Sequence, residues 1–213
     1  MKRYQRRVRV LAAGLSALAG FVDATGFISL GGFFVSFMSG NTTRFAVGLA
    51  RGAGAAALGA GLIVAFVLGV MAATLLRSRM EKRQAAWVLA LVAALLALAA
   101  TLGMQGLPTG SGIAMALAMG AENAVFEQEG EVHIGLTYMT GTLVKLGQHL
   151  THSLCGRDGS AWRSYLLLWL GLTGGAIAGA LVHPWLGLGS LWFAALTAAL
   201  FAGSVARMEG FGA

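Results

Sequence analysis

Long apolar segments follow one another along almost the whole of this 213-residue chain, separated only by short polar breaks. They lie near residues 10–29, 31–50, 55–76, 85–104, 111–126, 134–152, 162–182 and 187–206. A helix needs about 20 mostly apolar residues to cross the hydrocarbon core of a bilayer. No two-residue alternation runs through the segments, so a transmembrane β-barrel is not expected. Only 11% of the residues are charged and 57% are hydrophobic, whereas a soluble domain carries about a quarter charged residues. A chain so poor in charge cannot cover a water-facing surface. It reads as an all-α, polytopic integral membrane protein whose first partner is the lipid bilayer.

The net charge of +7 raises the question of nucleic acid, and the placement of the charges answers it. Lys2, Arg3, Arg6, Arg7 and Arg9 form one cluster, and Arg77, Arg79, Lys82 and Arg83 another. Both flank apolar segments, as cytoplasmic loops of membrane proteins do, so no nucleic-acid partner is expected. The apolar run after the first cluster continues past Phe21 towards Leu30, which favours a retained first span over a cleaved signal. The N-terminus is expected on the cytoplasmic side of the membrane. Pro108 and Pro184 both read as lying between apolar segments. Cys155 is the single cysteine, which excludes an internal disulfide and a CxxC site.

The segments repeat. Gly20-Phe21-Val22-Asp23-Ala24 aligns with Gly120-Ala121-Glu122-Asn123-Ala124, and Met38-Ser39-Gly40-Asn41 with Met139-Thr140-Gly141-Thr142. Arg44 then falls on Lys145. Ridges of small residues at four-residue spacing recur as well: Ala12, Ser16, Gly20 and Ala24; Gly61, Ala65, Gly69 and Ala73; Gly112, Ala116, Gly120 and Ala124; Gly171, Gly175 and Gly179. Residues four apart share a helix face, and small ones let helix backbones approach closely in lipid. The expected organisation is one membrane domain made of two repeats, residues 1–106 and 107–213.

The run GFVDATGFISLGGFFVSFMSGNTTR and the later TYMTGTLVKLG resemble the two signatures of the YoaK-like bacterial membrane proteins, the DUF1275 family. The resemblance extends over nearly the whole chain. It implies a multi-span inner-membrane protein and carries no established activity. The stretch EQEGEVH at 127–133 is more acidic than that pattern.

Charge also bears on topology. If all eight segments crossed, the basic loop 77–83 would lie outside, against the positive-inside rule. If segment 31–50 does not cross fully, that loop lies inside. Gly31-Gly32 and the polar run Ser39-Gly40-Asn41-Thr42-Thr43 suit a broken or re-entrant helix. Segment 134–152 would behave likewise, leaving three crossings per half and inverted halves, a recurring transporter design. Eight spans in parallel halves is the rival arrangement.

The candidate binding residues for a solute or ion are Asp23, Asn41, Thr42, Asn123, Thr140 and Thr142, all at the paired breaks or deep in the spans. An ionisable group at a helix centre costs roughly 2.5–3.5 kcal/mol, so Asp23 should face a polar interior. It could serve as an ion site, cap a helix end, or pair with Arg44. Arg44 and Lys145 could balance a bound anion, pair with Asp23 and Glu122 as charge partners, or snorkel to an interface, the reading favoured for Lys145. A helix beginning at a break would favour an anion there, and a helix ending would favour a cation. Gly20, Gly69, Gly120, Gly175 and Gly179 are expected to pack helices. His133, His149, His152 and His183 have no convergent spacing, so neither metal nor cofactor is expected.

The leading function is a small-solute or ion transporter or channel. A non-transporting scaffold that uses its glycine ridges only for packing is the alternative. A membrane enzyme ranks last, because no nucleophile and base converge in the sequence. A homodimer is compatible with the small-residue faces.

Overall fold

The computed structural model describes residues 6–51, 54–128, 131–132, 137–157, 159 and 161–208. Lys2 and Arg3 of the first basic cluster and His133 lie outside the described residues. The helices are α1 (Arg6–Ser29), α2 (Met38–Ala50), α3 (Ala55–Arg79), α4 (Gln84–Met104), α5 (Pro108–Asn123), α6 (Met139–Leu154), α7 (Trp162–Leu186) and α8 (Leu191–Ala206). Two 3-10 turns, Ala124–Phe126 and Gly187–Ser190, follow α5 and precede α8. The acidic stretch after α5 forms a small antiparallel ladder, β1 (Glu127–Gln128) with β2 (Glu131–Val132).

Four stretches among the described residues are long and apolar enough to cross a membrane: Val8–Ser29, Ala56–Arg79, Gln84–Met104 and Trp162–Ala206, the last running through both α7 and α8. The chain turns its apolar side chains outward as well as inward. Val64, Leu68, Met71 and Leu75 make an exposed stripe on α3, and Trp192, Leu196 and Leu200 one on α8. The first stripe advances by three or four residues and the second by four, so each is one helix face. In water such faces would be costly, whereas hydrocarbon is their natural solvent.

The core is built from α1, α3, α4, α5, α7 and α8, with Leu15, Leu62, Leu89, Leu96, Met115, Met119 and Leu191 fully enclosed. α5 is buried along most of its length. Close helix seams form wherever a glycine meets a neighbouring carbonyl. Gly171, Gly175 and Gly179 of α7 lie against the carbonyls of Ala13, Ala17 and Phe21, so α1 and α7 run in the same direction. Gly61 lies beside Ile113 and Gly69 against the Leu117 carbonyl, so α3 and α5 also run together. α1 and α5 run oppositely: Gly26 sits by Met115, and Leu30 by Gly112.

The two glycine seams share their contacts. Gly20 meets the Leu172 carbonyl and Gly120 meets that of Phe66, while Gly175 meets Ala17 and Gly69 meets Leu117. The α1 residues of one seam stand 100 positions before the α5 residues of the other. At each of these glycines a Cβ would collide with backbone.

Segment 31–50 becomes helical only at Met38, because Gly31 and Gly32 at φ 65° and 93° turn the chain out of α1 into an irregular stretch. Two local expectations are corrected. The polar run Ser39-Gly40-Asn41-Thr42-Thr43 does not interrupt a helix but lies in the first turns of α2. Pro184 lies inside α7 rather than between segments. It sits in the last turn, where its missing N–H leaves the Ala180 carbonyl without an i+4 donor and the break falls at the end of the helix. Pro108, by contrast, occupies the first turn of α5, where its fixed φ suits helix initiation.

Candidate functional site

Helices α2 and α6 begin facing one cleft of about 280 Å³. Its wall is made of residues 36–39 from the start of α2, residues 137–141 from the start of α6, and Phe66 of α3. Ser36-Phe37-Met38-Ser39-Gly40 and Thr137-Tyr138-Met139-Thr140-Gly141 are the same pattern, hydroxyl–aromatic–Met–hydroxyl–Gly. At both starts the N-cap position is aromatic, Phe37 or Tyr138, with no side-chain cap. The first N–H groups of a helix have no partner within it. The Ser39 amide makes no backbone hydrogen bond, and the Ser39 and Thr140 side chains are exposed at the cleft. Among the described residues, no Asp, Glu, Lys, Arg or His lines the cleft.

Side chains from the spanning helices hold both starts in place. Asp23 Oδ1 accepts hydrogen bonds from the N–H groups of Val35 and Ser36, each at 2.8 Å. The Ser36 hydroxyl and the Phe37 amide also bond to this carboxylate. In the second half, Thr137 Oγ1 donates to Asn123 Oδ1 at 3.2 Å, and Asn123 Nδ2 donates to the Met119 carbonyl at 2.9 Å. Thus Asp23 on α1 latches the α2 entrance and Asn123 on α5 latches the α6 entrance. The acid has four donors to satisfy it where the amide has one, which matches the charge difference between them.

Asn41 is fully buried and clamps the preceding loop, with Oδ1 accepting from Phe34 N–H at 3.0 Å and Nδ2 donating to Phe34 carbonyl at 2.6 Å. Its counterpart Thr142 is also buried. Thr42 is exposed and its hydroxyl donates back to the Met38 carbonyl. Of the six candidate binding residues, then, Thr140 lines the cleft, Asp23 and Asn123 bond to residues that line it, and Asn41, Thr42 and Thr142 face elsewhere.

The expected charge pairs do not form. Asp23 is engaged by backbone amides, while the Arg44 guanidinium lies over the Phe33 ring, 5.0 Å from its centroid. Stacking needs no second charge, and the amides already fill the carboxylate's acceptor positions. Glu122 is completely buried and neither of its oxygens has a hydrogen-bond partner, while Lys145 is exposed. His149 stacks on Tyr165 at 5.4 Å and lies edge-to-face with His152 at 6.0 Å. Among the described residues no group of three His, Cys, Asp or Glu could hold a metal ion.

Residue-by-residue reading did not single out Ser36, Thr137, Tyr138 and Phe66. Extending the repeat alignment two residues upstream of Met38 and Met139 exposes the first pair. Phe66 lies on α3, far from either motif, and no local signal marks it.

Long apolar helices, exposed apolar faces and close glycine seams together define a polytopic α-helical membrane protein. The sequence profile of the family described as "Protein of unknown function (DUF1275)" matches residues 11–204, and the chain belongs to that family. It is similar to the UPF0700 transmembrane protein RA0705 of Rhizobium meliloti (strain 1021), with 40% identity over 190 residues, covering 89% of this chain and 82% of the relative. No solved structure matches the chain.

Proposed function

We propose that this protein carries a small solute across a bacterial cytoplasmic membrane, and that the cleft between the starts of α2 and α6 is its binding site. The observation that carries this reading is the meeting of two like helix starts at one cleft whose polar groups are hydroxyls and amides. Helices begin there rather than end, so their positive dipole ends point towards the cleft. That polarity favours a small anion or a neutral solute rich in acceptor oxygens over a metal cation. Interrupted helices facing a central site are a recurring transporter design.

The same reading includes the crossing pattern. α1, α3, α4, α5, α7 and α8 cross the bilayer, with the N-terminus inside, and α2 and α6 enter without traversing it. At 13 residues, about 20 Å, α2 is the shortest of these helices. The opposed directions of α1 and α5 and the shared contacts of the two seams support inverted halves, residues 1–106 and 107–213. Buried latches and an accessible cleft fit transport better than a scaffold or an enzyme, since neither of those requires a polar opening at the helix starts.

The test is flux in proteoliposomes, followed by light scattering after a jump in external sodium chloride, nitrate, formate or acetate, or of glycerol. Wild-type protein should accelerate entry of at least one of these. Thr140→Trp, which fills part of the cleft, should reduce that rate at least tenfold with unchanged thermal unfolding. Rates equal to protein-free vesicles for every solute, or an unimpaired Thr140→Trp variant, would sink the proposal.

A further inference from the structure

We propose that Glu122 is a proton-binding site inside the bilayer, a carboxyl held as the neutral acid in this conformation that exchanges its proton when the α6 entrance moves. The inference rests on a different observation from the cleft and stands whether or not the cleft transports.

Glu122 has no exposed surface, and both carboxyl oxygens are buried without a hydrogen-bond partner. It lies near the end of α5, a helix packed between α3 and α4. An isolated carboxylate in such surroundings is far costlier than the neutral acid, which still leaves polar atoms unsatisfied. Its counterpart in the first half is Val22, also fully buried, so helix packing at this place is met by an apolar side chain and does not call for an acid.

Among the described residues, no charged side chain is paired with it. α3 carries Arg77 and Arg79, and Arg77 Nη1 donates to the Val125 carbonyl at 3.4 Å. α1 carries Asp23, which is bonded to Val35 and Ser36. α4, the 3-10 turn Ala124–Phe126 and the rest of α5 contain no ionisable side chain.

The position links the proton to the α6 entrance. Glu122 immediately precedes Asn123, whose side chain holds Thr137 at the cleft. Ionising Glu122 requires water or a cation to reach it, and that opening must displace the end of α5 or its neighbours. The Asn123–Thr137 latch sits on the next residue and moves with it. Proton release at Glu122 and release of the α6 entrance are then linked events, whereas the first half has only the fixed latch of Asp23.

Dicyclohexylcarbodiimide, a hydrophobic probe that adds across protonated carboxyls in apolar surroundings, tests this in native membranes. The acid's oxygen bonds to the central carbon of the probe and its proton passes to a probe nitrogen. Peptide mass mapping should find Glu122 modified in mildly acidic buffer, with modification declining as the pH is raised, and Asp23 unmodified throughout. Glu122→Gln should lose the adduct and unfold at the wild-type temperature, because an amide closely mimics the neutral acid. An infrared carboxylic C=O band absent from that variant should shift in deuterated water. Failure to modify Glu122 at any pH would overturn the proposal, as would modification that is independent of pH or a band that deuterium does not shift. The wild-type series decides the matter even if Glu122→Gln does not fold.

Discussion

Asn41 and Asp23 show how a polar side chain inside a membrane protein can be consumed by its own backbone. Both stand at places where a sequence reader looks for a binding group, and both spend their hydrogen-bonding capacity on the loop before α2. That loop leaves α1 through Gly31 and Gly32 and cannot satisfy its amides by helix pairing. Asn41 satisfies the N–H and the carbonyl of Phe34 at once. Asn41→Ala removes both bonds from a fully buried site, and a loss of roughly 1–3 kcal/mol per unsatisfied group is expected. Thermal unfolding in detergent should show a clearly lowered midpoint, whereas Thr42→Ala, at an exposed helix position, should leave it nearly unchanged. Equal midpoints for the two variants would refute the clamp.

At the scale of helices, the decisive feature is close backbone approach. A methyl group at Gly20, Gly69, Gly120 or Gly175 would collide with a carbonyl of the facing helix, so the helices must separate to accept it. Overpacking of this kind typically costs about 1–3 kcal/mol. Gly147 and Gly203 are also helical, but no atom lies within 4 Å of a Cβ placed there. The expectation is that Gly20→Ala and Gly120→Ala each lower the unfolding midpoint, by similar amounts because their surroundings match. Gly147→Ala and Gly203→Ala should hold or raise it, since alanine favours helix by up to about 1 kcal/mol. Unfolding scans of the four variants check this, and an unaffected Gly20→Ala would mean the seam is looser than drawn.

For the whole molecule, the proposed crossing pattern assigns each helix end to one side of the membrane. In a Cys155→Ser background, a cysteine at Thr109 probes the exposed start of α5. With the N-terminus inside, α1, α3 and α4 crossing and α2 returning, Thr109 faces outward and should react with an impermeant maleimide in intact cells. Protection until the membrane is permeabilised would instead support eight spans in parallel halves and remove the case for non-crossing α2 and α6.

The membrane setting and all-helical class were legible because they depend on local properties: apolar length, scarcity of charge and the absence of strand periodicity. The glycine ridges were legible for the same reason, since four-residue spacing places small residues on one face whatever they meet. What they meet was not. That Gly175 faces Ala17 and Gly69 faces Leu117 is set by the crossing of helices distant in sequence. The pairings of charge failed likewise. Arg44 was one of several partners the sequence left open for Asp23, and the backbone amides of Val35 and Ser36 hold its carboxylate instead. The sequence by itself therefore determined the solvent, the helices and their sticky faces. Only the tertiary structure decided that α2 and α6 start at a common cleft, and that Glu122 is left without a partner, because both depend on which distant segments share a place in the packed bundle.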